Sequence, residues 1–282
     1  MLGQGSIGAA ALAVALGVCG SALAFDDAKY PDLKGQWRRV EPGDPTRFDP
    51  SKPPGRGQQA PLTPEFQALF EAGLADMGEG GPGLDPSYVC LPPGMPRAMN
   101  VYTPMEIVVT PETTYILIDH IHHSRRIFTD GRDWPADVEP SYAGYSIGRW
   151  INSKGEGRYD LLTVETRFFK GPRALETTGL PLHHDNQTIV KERIFFDPAE
   201  AGILHDEITV LDHAFTRPWT VLKSYRRTAN ARPVWAENVC AEGNQRVEIG
   251  KQSYMLSAEG HLMPTKKNQA PPDLRYFKQP AS

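Results

Sequence analysis

The sequence predicts an all-β protein, an antiparallel up-and-down β-barrel with one N-terminal helix and long loops. Between Met105 and Arg227 the chain carries about seven short runs of alternating apolar and polar residues, with turn residues and no helical pattern between them. Gly and Pro number 26 each, which is typical of many strands joined by turns. A meander of hairpin-connected strands protects its edges most simply by closing into a barrel.

The first 24 residues are predicted to be a signal peptide. Ile7 to Val18 is a small, apolar run of the right length for a signal-peptide core, and Ala22-Leu23-Ala24 provides a cleavage site before Phe25. We therefore expect a periplasmic or secreted protein that is cleaved after Ala24. Lipidation at Cys19 is the alternative, although Val18 stands where a lipobox wants a small residue.

Residues 25–100 are predicted to form an N-terminal extension with a first strand, a loop and a helix. Thr63-Pro64 is a typical helix start, with Thr as N-cap and Pro in the first turn. Phe66, Phe70 and Leu74 follow at helical spacing, with Leu69 beside them. The glycines of residues 78–83 should end this helix.

Residues 101–245 are predicted to be the β-meander core, and residues 246–282 a C-terminal tail packed loosely on the barrel. The alternating runs predict core strands at Met105–Thr110, Tyr115–Thr129, Tyr145–Trp150, Tyr159–Phe169, Asn186–Phe196, Ile203–His213 and Trp219–Arg227.

Composition and motifs narrow the classes of partner. The 282-residue chain has a formal net charge of −4, so it lacks the basic surface that collects phosphates, and we expect no nucleic-acid partner. The apolar run near the N-terminus is too short to span a membrane. No P-loop, dinucleotide fingerprint, Gly-x-Ser-x-Gly or His-Glu-x-x-His motif is present, so we expect no cofactor. Oligomeric state stays open.

Cys90 and Cys240 are the two cysteines that follow the predicted cleavage site. Two cysteines in an oxidising compartment usually pair, so we predict a disulfide across a loop of about 150 residues. A catalytic cysteine is the alternative.

The stretch Tyr115–Gly131 carries the most unusual pattern. Read as one strand, it places Ile116, Ile118, His120, His122, Ser124, Arg126 and Phe128 on one face. That face passes from apolar residues to imidazoles and a guanidinium, so we predict that His120, His122 and Arg126 point into a pocket.

Asp206 and Asp212 are the predicted acidic members of this pocket. They share the apolar face of the strand Ile203–His213, where an unpaired charge would be costly. We therefore expect Arg126 or the histidines to be their partners. In this hypothesis His122 is the general acid or base, an aspartate orients a histidine, and Arg126 stabilises an oxyanion. Structural salt bridges are the alternative.

His184, at the predicted barrel mouth, is a predicted ligand-binding residue, as are Trp134 and Tyr145. A metal site is a further alternative. His120-x-His122 puts two imidazoles on one strand face, and His184, His205 or Asp206 could complete a zinc or iron site.

Two resemblances support the fold. Gly35-Gln36-Trp37 resembles the opening signature of lipocalin-like barrels, in which the Trp plugs the closed end and an Arg packs over it. Cys-Leu-Pro-Pro-Gly-Met-Pro-Arg, Arg-Arg-Ile-Phe-Thr-Asp-Gly-Arg, Ser-Ile-Gly-Arg-Trp and Phe-Thr-Arg-Pro-Trp together resemble a family of secreted bacterial proteins without assigned biochemistry. The second resemblance covers most of residues 61–240 and implies a shared fold and export.

These observations predict a secreted, lipocalin-like barrel with a central pocket for a small lipophilic molecule. The leading hypothesis is a cofactor-free acid–base enzyme of the lyase, dehydratase, isomerase or hydrolase type. A periplasmic carrier or sensor without turnover is the alternative.

Overall fold

A computed structural model describes residues 25–40, 47–119, 124–230 and 232–272. Within these residues, nine strands close into a barrel in sequential order, and β9 pairs with β1. The strands are β1 (Gln36–Arg39), β2 (Met105–Val109), β3 (Thr113–Ile118), β4 (Arg125–Phe128), β5 (Tyr145–Ile151), β6 (Leu161–Arg167), β7 (Ile189–Phe196), β8 (Ile203–Leu211) and β9 (Trp219–Arg227). The all-β barrel predicted from the sequence is confirmed.

Strand β4 runs parallel to β5, whereas every other pair in the barrel is antiparallel. A closed ring with an odd number of strands cannot alternate direction throughout, so one neighbouring pair must be parallel. The long connection from Thr129 to Gly144 carries the chain back to the end of the barrel at which β4 began. The prediction of a wholly antiparallel meander is therefore wrong for the β4–β5 pair.

The predicted strand Tyr115–Thr129 is a hairpin and not one strand. β3 and β4 pair antiparallel with Ile116 opposite Arg125 and Tyr115 opposite Arg126. Residues that lie opposite each other in a ladder share a face of the sheet. The antiparallel pairing of β3 and β4 therefore turns Arg125 inward with Ile116.

Trp37 closes one end of the barrel. Its side chain is fully buried, its ring lies 5.7 Å from that of Phe196, and the Arg227 guanidinium lies 4.7 Å from its centroid. Trp37 and Arg227 are cross-strand neighbours on β1 and β9. An arginine therefore packs over the ring of the buried Trp37.

The opposite end of the barrel is covered by helix α1 (Pro64–Gly78) and by irregular chain. Thr63 accepts a hydrogen bond from the Phe66 N–H at 3.4 Å and Pro64 occupies the first turn, as predicted. Residues 94–101, which we call the plug, are all buried and include the single helical turn Arg97–Asn100. The plug fills the mouth of the barrel, where the sequence predicts an open pocket.

The C-terminal region contains a three-stranded antiparallel sheet, β10 (Arg246–Ile249), β11 (Gln252–Leu256) and β12 (Leu262–Pro264), which the sequence pattern did not predict. It follows a helical turn, α2 (Cys240–Gly243). Lys266 pairs with Asp76 of α1, and Cys90 and Cys240 form the predicted disulfide with their Cα atoms 5.6 Å apart.

No helix within the described residues has the length and apolar character needed to cross a membrane. The predicted signal peptide, residues 1–24, lies outside the described residues.

Candidate functional site

Four charged side chains from four strands meet inside the barrel, and we call them the charged layer. They are Arg125 of β4, Glu192 of β7, Asp206 of β8 and Lys223 of β9, each at most 5% exposed. Alternation explains their direction, because Glu192, Asp206 and Lys223 each stand two residues from buried apolar neighbours on both sides. Asp206 lies directly opposite Lys223 in the β8–β9 ladder.

Arg125 and Glu192 form a buried bidentate ion pair. One guanidinium nitrogen donates to the Glu192 carboxylate at 2.7 Å and a second nitrogen makes another short contact with it. The second nitrogen also donates to Thr166 Oγ1 at 3.2 Å, and Ser146 lies 2.8 Å from that hydroxyl. Bidentate geometry with additional hydrogen bonds is what a buried pair needs to offset desolvation.

Asp206 is the member of the charged layer whose carboxyl group is least compensated by its neighbours. It is fully buried, and neither carboxyl oxygen accepts a hydrogen bond from the described residues. Burial raises the pKa of Asp206 well above 3.8, the nearby Glu192 carboxylate raises it further, and Arg125 and Lys223 oppose the shift only in part. Burial beside the Glu192 carboxylate therefore favours the protonated form of Asp206.

Lys223 and Tyr225 attach the barrel wall to the covering chain. The Lys223 ammonium donates to the Phe48 carbonyl and to Asn100 Oδ1 at 2.9 Å, and it lies 4.4 Å from the Phe48 ring centroid. The Tyr225 hydroxyl donates to the Met99 carbonyl at 2.6 Å. The polar atoms of the interior thus hold the plug in the mouth.

A cavity of about 20 Å³ lies between the plug and the wall. That volume holds about one water molecule. Arg125 contributes to the lining, and its Nε–H, which is buried, has no hydrogen-bond partner among the described residues. The rest of the lining is apolar or backbone and consists of Gly94, Met95, Ala98, Ile116, Ile118 and Ala143.

Arg126 does not face the interior, and that prediction is wrong. Its side chain is exposed and its guanidinium lies 6.0 Å from the Tyr115 ring centroid, on the outer face. The turn between β3 and β4 changes the phase of the alternation, so the inward guanidinium belongs to Arg125. His120 and His122 lie outside the described residues.

Asp206 and Asp212 belong to different groups of contacts, so the structure does not assemble them as one acid pair. Asp212 follows β8 at the rim, where it accepts hydrogen bonds from the His183 N–H at 2.8 Å and from Thr188 Oγ1 at 2.5 Å. The inward direction predicted for Asp206 is confirmed by its burial.

The three predicted ligand-binding residues fall into two groups. Trp134 and Tyr145 lie together, with centroids 6.1 Å apart, and Arg167 packs 4.7 Å from the Trp134 ring. His184 is exposed at the rim and stacks on His183 at 4.4 Å. The alternative metal ligand His205 uses both ring nitrogens, toward Asp197 at 2.7 Å and Ser224 at 2.9 Å.

Sequence reasoning missed Arg125, Glu192 and Lys223. A signal for two of them was present, because Glu192 lies between Val190 and Ile194 and Lys223 lies between Val221 and Tyr225 on inward faces. The same alternation argument identified Asp206. Arg125 carries no such signal, because the strand that contains it is only four residues long.

The larger depressions of the described chain lie outside the barrel. One of about 680 Å³ lies between α1 and the C-terminal sheet, and one of about 590 Å³ crosses the outer face of β5–β8. Comparison of the chain with protein-family models, with curated proteins and with solved structures gave no match.

Proposed function

We propose that the barrel is an exported binding protein for a small, mainly apolar molecule with one hydrogen-bond-accepting or anionic group. The observation that carries the proposal is Arg125, which lines an otherwise apolar cavity and whose buried Nε–H has no hydrogen-bond partner among the described residues. Buried donors are almost always satisfied in native proteins, so an orphan beside a cavity favours a ligand or water atom at that point. The disulfide supports export, since such bridges persist in oxidising compartments.

The cavity of about 20 Å³ is smaller than ligand pockets, which are typically about 300–1,000 Å³. In this proposal the plug moves outward when the ligand enters. This movement breaks the Lys223–Asn100 hydrogen bond and moves Arg97 of the plug away from Asp85, its buried ion-pair partner. It also breaks the hydrogen bonds from Arg173 and Tyr225 to the carbonyls of Met95 and Met99. Water can replace the partners of both carbonyls.

The test uses cis-parinaric acid, a fluorescent fatty acid, and its methyl ester. We expect saturable one-to-one binding of the acid to the mature protein. Ala143→Leu fills the cavity without replacing any member of the charged layer and should weaken binding about tenfold or more. Ala136→Leu, an exposed site on the same connection, is the matched control and should bind like wild type. Equal binding by the two variants, or none by wild type, would contradict the proposal.

Acid–base catalysis is the second candidate, because the buried Asp206, whose pKa is raised by burial and by Glu192, lies in the same layer as Arg125. Arg125 takes the oxyanion-stabilising role that the sequence assigned to Arg126, and His122 remains the proposed general base. Ile118 and Arg125, two described residues on either side of His122 in the sequence, line the cavity. Incubation of a metabolite extract with wild type and with His122→Ala should show consumption of a compound by wild type alone.

A further inference from the structure

A second cluster of potential ligand atoms lies at the rim of the barrel, apart from the charged layer. His183 Nδ1 lies 3.0 Å from one carboxylate oxygen of Asp185, and His213 Nδ1 lies 2.6 Å from the other. One ligand atom from each of the three residues falls within 4.8 Å of the other two. This convergence of two imidazoles on one carboxylate does not involve His120, His122 or His205.

The antiparallel β7–β8 pair creates this convergence. Ile189 lies opposite Leu211, so the chain that enters β7 and the chain that leaves β8 run side by side at the rim. The His183 N–H donates to Asp212, the residue next to His213. This hydrogen bond from a backbone N–H to the Asp212 carboxylate therefore holds the two segments together independently of any ion.

Local contacts orient the three side chains. The Gln187 N–H donates to Asp185 Oδ1 at 3.0 Å, and Asn186 takes a left-handed conformation with φ of 59° that turns the loop. The His183 ring stacks on His184 and packs 5.0 Å from Phe66 of α1. The His213 ring meets the His183 ring edge-on, with centroids 5.7 Å apart.

We propose that His183, Asp185 and His213 form a zinc site at the barrel rim. Two imidazole nitrogens and one carboxylate oxygen are the donor set of open zinc sites, in which water completes the coordination. Ligands of tetrahedral zinc stand about 3.3 Å apart, so the three side chains must rotate to bind the ion. His183 Nδ1 then exchanges the hydrogen bond that it accepts from the Asp185 N–H for the metal. The mixed nitrogen and oxygen donors favour zinc over calcium or magnesium, which take oxygen ligands.

The charges around the cluster are compatible with a divalent cation. Asp185 and Asp212 contribute two carboxylates, and the nearby Arg173 guanidinium interacts electrostatically with both. The Arg173 guanidinium also donates hydrogen bonds to the Met95 carbonyl of the plug and to Thr188, so it is not directed at the cluster alone. His213 and Asp185 are exposed, so the ion has a path from solvent.

The test is calorimetric titration of zinc into the mature protein, produced without a polyhistidine tag and stripped with a chelator. We expect one zinc per chain, and Co²⁺ in place of zinc should give visible absorption bands of low-coordinate cobalt. His213→Ala and Asp185→Asn should each weaken zinc binding about tenfold or more. His261→Ala, an exposed histidine outside the cluster, is the matched control.

His213 and Asp185 are exposed, so both variants should fold, and their thermal unfolding without metal should resemble that of wild type. Unchanged zinc affinity in both variants, or no zinc binding by wild type, would overturn the proposal. Equal losses in His261→Ala and His213→Ala would also overturn it, because they would indicate unspecific binding. None of these outcomes depends on the ligand proposed for the barrel interior.

Discussion

Arg125 and Arg126 are adjacent in the chain and lie on opposite sides of the barrel wall. Arg125 is 5% exposed and paired with Glu192, whereas Arg126 is exposed beside Tyr115. The charged layer depends on this difference, because only the inward arginine balances the buried carboxylate. Substitutions of these two neighbours therefore compare the loss of a buried arginine with the loss of an exposed one.

Arg125→Met should lower the free energy of unfolding by about 3–5 kcal/mol, because it leaves Glu192 as an uncompensated buried charge. Arg126→Met should change it by no more than about 0.5 kcal/mol. Equilibrium denaturation of the two variants measures both values. Similar losses in the two would show that the inward and outward assignments are wrong.

The double variant Arg125→Met/Glu192→Met should recover much of the stability lost in Arg125→Met. Replacement of a whole buried ion pair by apolar residues is often neutral, whereas removal of one partner is costly. A double variant that is less stable than the single one would argue against a direct pair.

Asp206→Asn should make the protein more tolerant of neutral and alkaline pH. The raised pKa means that folded Asp206 keeps its proton at pH values where unfolded Asp206, near 3.8, has lost it. The folded state then binds more protons than the unfolded state, so stability falls as pH rises from 3.8 toward the raised pKa. The asparagine removes this decline.

Unfolding free energies of wild type and Asp206→Asn, measured from pH 4 upward, should therefore diverge as the pH increases, with wild type the less stable. Glu207→Gln, an outward carboxylate on the same strand, is the control. Parallel pH profiles for wild type and Asp206→Asn would mean that Asp206 ionises normally.

Tyr225→Phe should loosen the plug. It removes the hydroxyl that donates to the Met99 carbonyl, at a cost of about 1 kcal/mol for a buried hydrogen bond. Hydrogen exchange of the amides of residues 97–100 should accelerate, whereas Tyr115→Phe on the outer face should leave it unchanged. Equal amide exchange rates in the two variants would show that the Tyr225–Met99 hydrogen bond does not hold the plug.

The Cys90–Cys240 disulfide should hold the plug region to the C-terminal segment. Thiol titration of the denatured, unreduced mature protein should detect no free thiol. Cys90→Ser/Cys240→Ser should lose about 5 kcal/mol of stability in the chain-entropy model for a loop of this length. Two titratable thiols per chain would contradict the bridge.

The sequence predicted the elements whose signals are local. Alternation placed β8 and turned Asp206 inward, and Thr63-Pro64 marked the start of α1. The turn between β3 and β4 escaped prediction, because Asp119 to Ser124 contains neither Gly nor Pro and continues the alternation of the preceding strand. One missed turn was enough to exchange Arg125 for Arg126.

The pairings of the charged layer are tertiary and have no local signal. Arg125 and Glu192 are 67 positions apart, and their contact depends on how β4 and β7 face each other across the closed barrel. The plug is similar, because the turn-rich run Cys90–Arg97 gives no indication that it enters the barrel. The sequence therefore predicted an open pocket at the place that the plug fills.

Native mass spectrometry of the protein isolated from its own host, without refolding, tests the proposed binding function most directly. We predict that wild type carries a single non-covalent small-molecule adduct, and that Ala143→Leu, produced in the same host, lacks it while Ala136→Leu keeps it. A wild-type protein that is free of any adduct, or an adduct that persists in Ala143→Leu, would contradict a binding site beside Arg125.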